Sequence, residues 1–290
     1  MSKIKTIPPS FFPIIASGSL LVLCLGLIRL LHGDDSAWAY IMIGMSSLVA
    51  VTVSWMVTAI NDSQNIAKGQ LKLVDATYRW SMFWFIFSEV WFFAGFFAVL
   101  WYARFVSVPT LGGVFGDDRL THYILWSDFQ PQWPLLQNPD ASRYLGPSGV
   151  VKPWGLPLIN TVILLTSGIT ITIAHWAVIS EKKWAAFFWQ MVTVMLGFWF
   201  LYYQYVEYIE AYSHLGLRLD SGIYGSVFFF LTGFHGLHVF VGSLMLLGIA
   251  LRIARGHFTA DRHLGFEMVS WYWHFVDVVW LLLFVLVYWL

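Results

Sequence analysis

Charge is scarce in this chain. Only 11% of its 290 residues are Asp, Glu, Lys or Arg, 16 of each sign, so the formal net charge is zero. A soluble domain carries about 25% charged residues. A water-exposed globule is therefore excluded, and the zero balance offers no basic surface for nucleic acid. The single cysteine, Cys24, rules out an intramolecular disulfide; in its apolar run it reads as a small filler at lipid depth. The sequence holds no nucleophile–base pair, phosphate loop or zinc spacing, and no internal repeat or low-complexity tract. A cleavable signal is also missing. The start, MSKIKTIPPSFFPII, is basic, but the apolar run behind it meets Arg29 and His32 without a small-residue cleavage site. The expectation is an uncleaved first helix.

What the chain does have is apolar bulk: 59% hydrophobic and 19% aromatic residues, with a mean hydropathy of +0.69. Seven apolar segments stand out, at residues 11–31, 37–60, 80–104, 157–178, 185–207, 223–251 and 265–290. About 20 apolar residues suffice to cross a bilayer, so the fold class is an all-α membrane protein with seven transmembrane helices. Pro13 and Pro157 fall in first turns, where a missing N–H costs nothing. Most connectors are short; 105–156 is long and rich in Pro, Gly, Asp and Asn. With the N-terminus inside, the inner face holds Lys3, Lys5, Lys68, Lys72, Arg79, Lys182, Lys183, Arg252, Arg255 and Arg262. The outer face holds only Arg29, Arg104, Arg119, Arg143, Lys152 and Arg218. The positive-inside rule thus favours an inner N-terminus and an outer C-terminus. Trp38, Tyr40, Trp80, Trp84 and Trp184 fit interfacial belts, with ordinary packing as the alternative.

The chemistry of interest is the polar minority at membrane depth. In the last segment Glu267, Ser270, His274 and Asp277 are spaced by three, four and three residues, which puts them on one helical face. An Asp at a helix centre costs roughly 2.5–3.5 kcal/mol on insertion scales, so that face must look into a bundle or a wet cavity. Glu89 sits ~15 Å from the inner end of its segment at 1.5 Å per residue, walled by Phe85, Phe92 and Phe93. An acid there is either paired or protonated, because desolvation disfavours the charge. The readings are a neutral acid hydrogen-bonded in the bundle, or a proton- or lipid-related site. His235 and His238 share a face of the sixth segment with Gly242. With His175 and His274 they raise haem or metal ligation, against which stands simple interhelical hydrogen bonding; no cysteine or tight acidic cluster completes a shell. Gln204, Glu207 and Glu210 stack near the outer end of the fifth segment, as a solvated or bundle-facing end. Arg252, Arg255, His257, Arg262 and His263 crowd the inner connector. With Arg79 they are candidates for lipid headgroups, each charge worth ~1 kcal/mol, although positive-inside topology explains them equally well.

Three stretches, SEVWFFAGFF, TGFHGLHVFVGS and GFEMVSWYWHFVDVVW, resemble the third, sixth and seventh helices of the cytochrome c oxidase subunit III family. PLINTVILLTSGITITIAH, QYVEYIEA and SGIYGSVFFF extend the resemblance, which is strong over 79–105 and 157–290. It implies a two-helix part, 1–78, and a five-helix part, 79–290, separated by a lipid-filled cleft. It implies bound phospholipids but no redox cofactor on this chain, with haem and copper in partner subunits I and II. The main contact would be subunit I, whose proton pumping and oxygen reduction the chain would support as a non-catalytic subunit. By position Glu89 matches the family's buried acid and Arg252 a basic residue near headgroups. His235, His238, Glu267, His274 and Asp277 match its helical core, and Glu207 joins them here as a sixth member of a core polar network. The length of 105–156 suggests a bacterial member in the plasma membrane rather than a mitochondrial one. SWMVTAINDSQN departs from the Trp-Arg-Asp-Glu pattern frequent at the end of the second helix, and His175 is followed by Trp176 where many members have a second histidine. Competing classes are a stand-alone haem b protein using its histidines and a proton-coupled transporter built on Glu89. The odd segment count, without symmetric halves, argues against the transporter.

Overall fold

The computed structural model describes residues 10–65, 71–115, 119–141 and 143–289. Lys3, Lys5 and Lys68, three of the cations counted on the inner face, lie outside the described residues, as does Leu290. Among the described residues the regular structure is helical, and seven helices are long and apolar enough to cross a bilayer. The chain divides into two compact units, Met1–Val74 and Asp75–Leu290.

The first unit is a hairpin of α1 (Phe12–Leu31) and α2 (Ala37–Gln64). Lipid tails are as apolar as leucine, so close backbone approach rather than water exclusion drives such pairing. Two glycines provide it. A Cβ at Gly44 would stand 2.6 Å from the backbone nitrogen of Leu23, and one at Gly26 2.8 Å from that of Ile41. Phe12 stacks on Trp55 with ring centroids 5.9 Å apart. At the turn Arg29 pairs with Asp34 at 3.0 Å and lies 4.6 Å over the Tyr40 ring. The backbone N–H of Ser36, above all, holds the Asp34 carboxyl below the ordinary aspartate value, with Arg29 adding to it.

The second unit begins within α3 (Leu71–Tyr102), whose span runs on to Leu111 through a π-helical turn, Ala103–Ser107, and the short α4 (Val108–Leu111). The third helix is thus longer at both ends than the apolar segment 80–104. Hydropathy marks where lipid ends, not where backbone hydrogen bonding ends, so Asp75, Arg79 and Arg104 sit on helix that has simply emerged. Pro109 is accommodated in the first turn of α4. The stretch 105–156 is therefore partly helical, and it also carries α5 (Arg119–Leu125).

The remaining helices are α6 (Leu156–Ile179), α7 (Lys183–His214), α8 (Ile223–Ala254) and α9 (Leu264–Leu283), the last continued by a π-helical end, Phe284–Trp289. They pack as a closed ring, α6 on α7, α7 on α8, α8 on α9 and α9 on α6. Small residues line these seams: Ser167, Ala174, Ala186, Gly197, Gly242 and Ser243. α3 meets the ring differently. Phe92 and Phe96 reach Phe234 at 5.1 and 5.3 Å, and Phe85 reaches Tyr272 at 6.1 Å, so bulky rings hold its backbone further off. Trp38, Trp80, Trp84 and Trp184 all face outward.

Candidate functional site

Among the described residues Glu89, His238, Arg79, Glu267, His274, Asp277, Glu207 and Tyr288 meet as separate pairs. One of them joins α3 to α8. Oε2 of Glu89 lies 2.8 Å from Nε2 of His238, and Nδ1 of the same ring lies 2.6 Å from the carbonyl oxygen of Phe234. A carbonyl only accepts, so Nδ1 is inferred to carry a hydrogen, which leaves Nε2 bare when the ring is neutral. One proton must then sit between Glu89 and His238, on the carboxyl or on the imidazole. Either arrangement has zero net charge, and that makes the pair tolerable in hydrocarbon. Phe92 and Phe93 stand 5.9 and 5.0 Å from the imidazole, and Tyr272 stacks on it at 6.4 Å. The two side chains remain 21% and 13% exposed, so the pair is screened without being sealed.

This geometry fixes what a substitution should do. In Glu89→Gln the amide N–H replaces the carboxyl proton as donor to a neutral Nε2. Stability should then change by less than about 1 kcal/mol, whereas Glu89→Leu strands Nε2 and should cost about 1–3 kcal/mol. Unfolding in detergent followed by circular dichroism separates the two. A glutamine variant as unstable as the leucine one would show that the carboxylate charge itself is structural.

Where α3 and α9 begin, Arg79 of α3 grips Glu267 of α9 with two bonds, Nη2 to Oε2 at 2.8 Å and Nε to Oε1 at 3.3 Å. Glu267 lies in the first turn of α9, where the helix dipole favours a negative charge. Arg79, a headgroup candidate on sequence, thus has a protein partner while remaining 46% exposed. Arg252 lies 4.5 Å over the Phe258 ring. His175 lies between the His263 and Phe266 rings, at 5.2 and 5.1 Å. Arg262 closes a turn with Thr259 through a reciprocal backbone pair. Burial first, then the guanidinium groups of Arg252 and Arg255, hold His257 below the ordinary histidine value.

His235 and His238 do not act together, although they share a helical stripe. His238 turns to α3; His235 is fully buried, with Phe200 at 5.5 Å and Trp280 at 5.2 Å. Nδ1 of His274 lies 3.8 Å from Oδ2 of Asp277, and Gly168 of α6 leaves room for both side chains. Toward the ends of α7 and α9 the buried Glu207 accepts a hydrogen bond from the Tyr288 hydroxyl at 2.6 Å, while Glu210 is exposed. No group of three His, Cys, Asp or Glu side chains that could hold a metal ion is gathered among the described residues.

The interhelical bonds of the ring go beyond what the spacing of ionisable residues indicates. Trp273 donates to Ser167 at 2.8 Å and Trp280 to Thr161 at 2.9 Å. Thr170 meets Thr193 at 2.8 Å, and Gln204 donates to the carbonyl of Thr232 at 2.7 Å. The sequence signal for them is the stripe of small and polar residues along α6, Asn160, Ser167, Thr170 and Ala174, at helical spacing.

Comparison with known proteins agrees with this architecture. The family model described as cytochrome c oxidase subunit III matches residues 3–121 and 129–290. Cytochrome c oxidase subunit 3 of Struthio camelus is 35% identical over 286 residues, which is 98% of this chain and 95% of that protein. The Mus musculus protein of the same name is 35% identical over 97% of this chain and 94% of its own length. That of Tetraodon nigroviridis is 40% identical over 73% of this chain and 69% of its own. With that coverage, seven membrane-crossing helices and the quoted motifs spread over α3 to α9, this chain belongs to the cytochrome c oxidase subunit III family and is a multi-pass membrane subunit of a respiratory oxidase complex.

Proposed function

We propose that the chain is a non-catalytic subunit of cytochrome c oxidase that supports the proton-pumping, oxygen-reducing core by packing against subunit I and holding structural phospholipids. The observation that carries the reading is how its histidines are spent. His238 commits one ring nitrogen to Glu89 and the other to the Phe234 carbonyl. His235 is enclosed by Phe200 and Trp280. The haem and copper are assigned to subunits I and II on the family likeness. Phospholipid binding is assigned to the inner rim, where Arg252 and its neighbours would attract anionic headgroups at ~1 kcal/mol per charge. The N-terminus is assigned to the cytoplasmic side from the Lys and Arg asymmetry. A bacterial plasma membrane is proposed as host on the length of 105–156.

The test is purification of the tagged chain from its native membrane in mild detergent. A larger haem-bearing subunit should copurify, and the chain stripped from it should show no Soret absorbance. A Soret band that stays with the isolated chain would overturn the reading in favour of a haem protein in its own right. Loss of bound phospholipid in Arg252→Gln, read by mass spectrometry of the complex, tests the lipid assignment separately.

A further inference from the structure

The interior of the ring formed by α6, α7, α8 and α9 keeps polar atoms that the pairs above leave over. Neither ring nitrogen of His235 has a hydrogen-bond partner among the described residues, and neither has the side-chain nitrogen or oxygen of Asn160. Both residues have no exposed surface. Gln204 spends its amide nitrogen on the Thr232 carbonyl and leaves Oε1 unpaired. Glu207 spends Oε1 on Tyr288 and leaves Oε2 unpaired. A buried polar atom without a partner loses its hydration and gains nothing in return, so four such side chains in one core point to a bound ligand.

These side chains gather around Trp280. Its ring lies 5.2 Å from His235 of α8, 4.7 Å from Phe200 of α7 and 5.8 Å from Tyr288, the residue bonded to Glu207. Its indole N–H goes to Thr161, the neighbour of Asn160 on α6. Gln204 stands one turn from Phe200 and one from Glu207, and it lies against α8 beside His235: a Cβ at Gly236 would be 3.0 Å from its Oε1. The mixture of groups sets the chemistry of the ligand. The Asn160 amide nitrogen only donates, Gln204 Oε1 only accepts, and a neutral imidazole does one of each. A cation would serve the acceptors alone and an anion the donors alone. Water does both, and it is small enough for a packed interior.

We propose that the ring encloses a bound-water site, a small cluster held by His235, Gln204, Glu207 and Asn160 that bridges α6, α7 and α8. A buried water makes about three hydrogen bonds, so a few of them serve every leftover atom of the four side chains. The inference goes beyond the oxidase reading and does not depend on it.

Radiolytic footprinting tests this on the chain as purified from its native membrane, with the subunits that accompany it. X-rays split bound water where it sits, and the hydroxyl radical oxidises the nearest side chain, buried or not. Trp280 and Tyr288 are 0% and 7% exposed, Trp289 58%. With water beside them, the two buried rings should be modified at rates within about tenfold of Trp289. Hydroxyl radical made in bulk from peroxide and chelated iron(II) should modify Trp289 and spare Trp280. X-ray rates for both buried rings more than about tenfold below Trp289 would mean a dry core. Equal attack on Trp280 and Trp289 by the bulk radical would mean a core open to solvent. Either result overturns the proposal. His235→Phe removes two of the leftover atoms and should lower X-ray labelling of Trp280 at least about threefold, with Trp289 unchanged; a Trp280 rate that does not respond overturns the site as drawn. If that variant misfolds, the unsubstituted chain decides alone.

Discussion

Alanine at Trp273 should cost the second unit about 3–5 kcal/mol, the range for emptying a large aromatic site in a packed core. Trp273 has no exposed surface and is held from two sides. A Cβ at Gly242 would lie 2.9 Å from its ring, as would one at Gly197, so two glycines form its seat. Its indole N–H donates to Ser167 at 2.8 Å. The cavity outweighs the hydrogen bond, because the Ser167 hydroxyl already donates to the carbonyl of Leu164 at 2.7 Å and is not orphaned by the loss. Trp273→Phe should therefore cost only about 1–2 kcal/mol, near the worth of the bond and a partial void. Thermal unfolding in detergent resolves the difference. An alanine variant within about 1 kcal/mol of the unsubstituted protein would mean that close packing does not hold α9 to α7 and α8.

Gly44→Leu should part α1 from α2. The obstacle a side chain meets at Gly44 is the main chain of Leu23, nitrogen at 2.6 Å and Cα at 2.8 Å. A side chain could rotate aside; a helix backbone cannot. Overpacking of this kind costs about 1–3 kcal/mol in a soluble core. Limited proteolysis of the turn at 32–36 should accelerate, while residues 75–290 keep their resistance. Gly44→Ala should fall between. Unchanged cleavage in Gly44→Leu would show that the glycine contact does not hold the hairpin.

Much of this fold is legible in the order of residues alone, and for a physical reason: a bilayer taxes each polar backbone group that is not hydrogen-bonded, so long apolar runs have one outcome, the helix. The segment starting near 223 and its partner at 264 appear where their apolar runs begin. The third helix outruns its apolar run because helices do not stop at the lipid boundary. The aromatic character of the neighbourhood is equally readable: Phe92 and Phe93 flank the His238 ring that Glu89 meets. Partnership is not. Periodicity places His235 and His238 on one stripe, yet the roughly 60° of helix between them is enough to turn one toward α3 and the other into the ring. Nor can spacing along α9 reveal that Glu267 is claimed by Arg79, 188 residues away in sequence. Such pairs depend on the rotation of each helix, which is set by where glycines and phenylalanines let backbones approach.

The shared hydrogen of Glu89 and His238 has an electrical corollary. Its passage from one group to the other spans no more than 2.8 Å, about a tenth of the hydrocarbon slab. A full charge crossing the membrane gains about 2.3 kcal/mol per 100 mV, so this hop couples by at most ~0.2 kcal/mol per 100 mV. Below thermal energy, a shift of the hydrogen between the two groups is all but deaf to a membrane potential, so the neutral pair is as tolerable in an energised membrane as in a resting one.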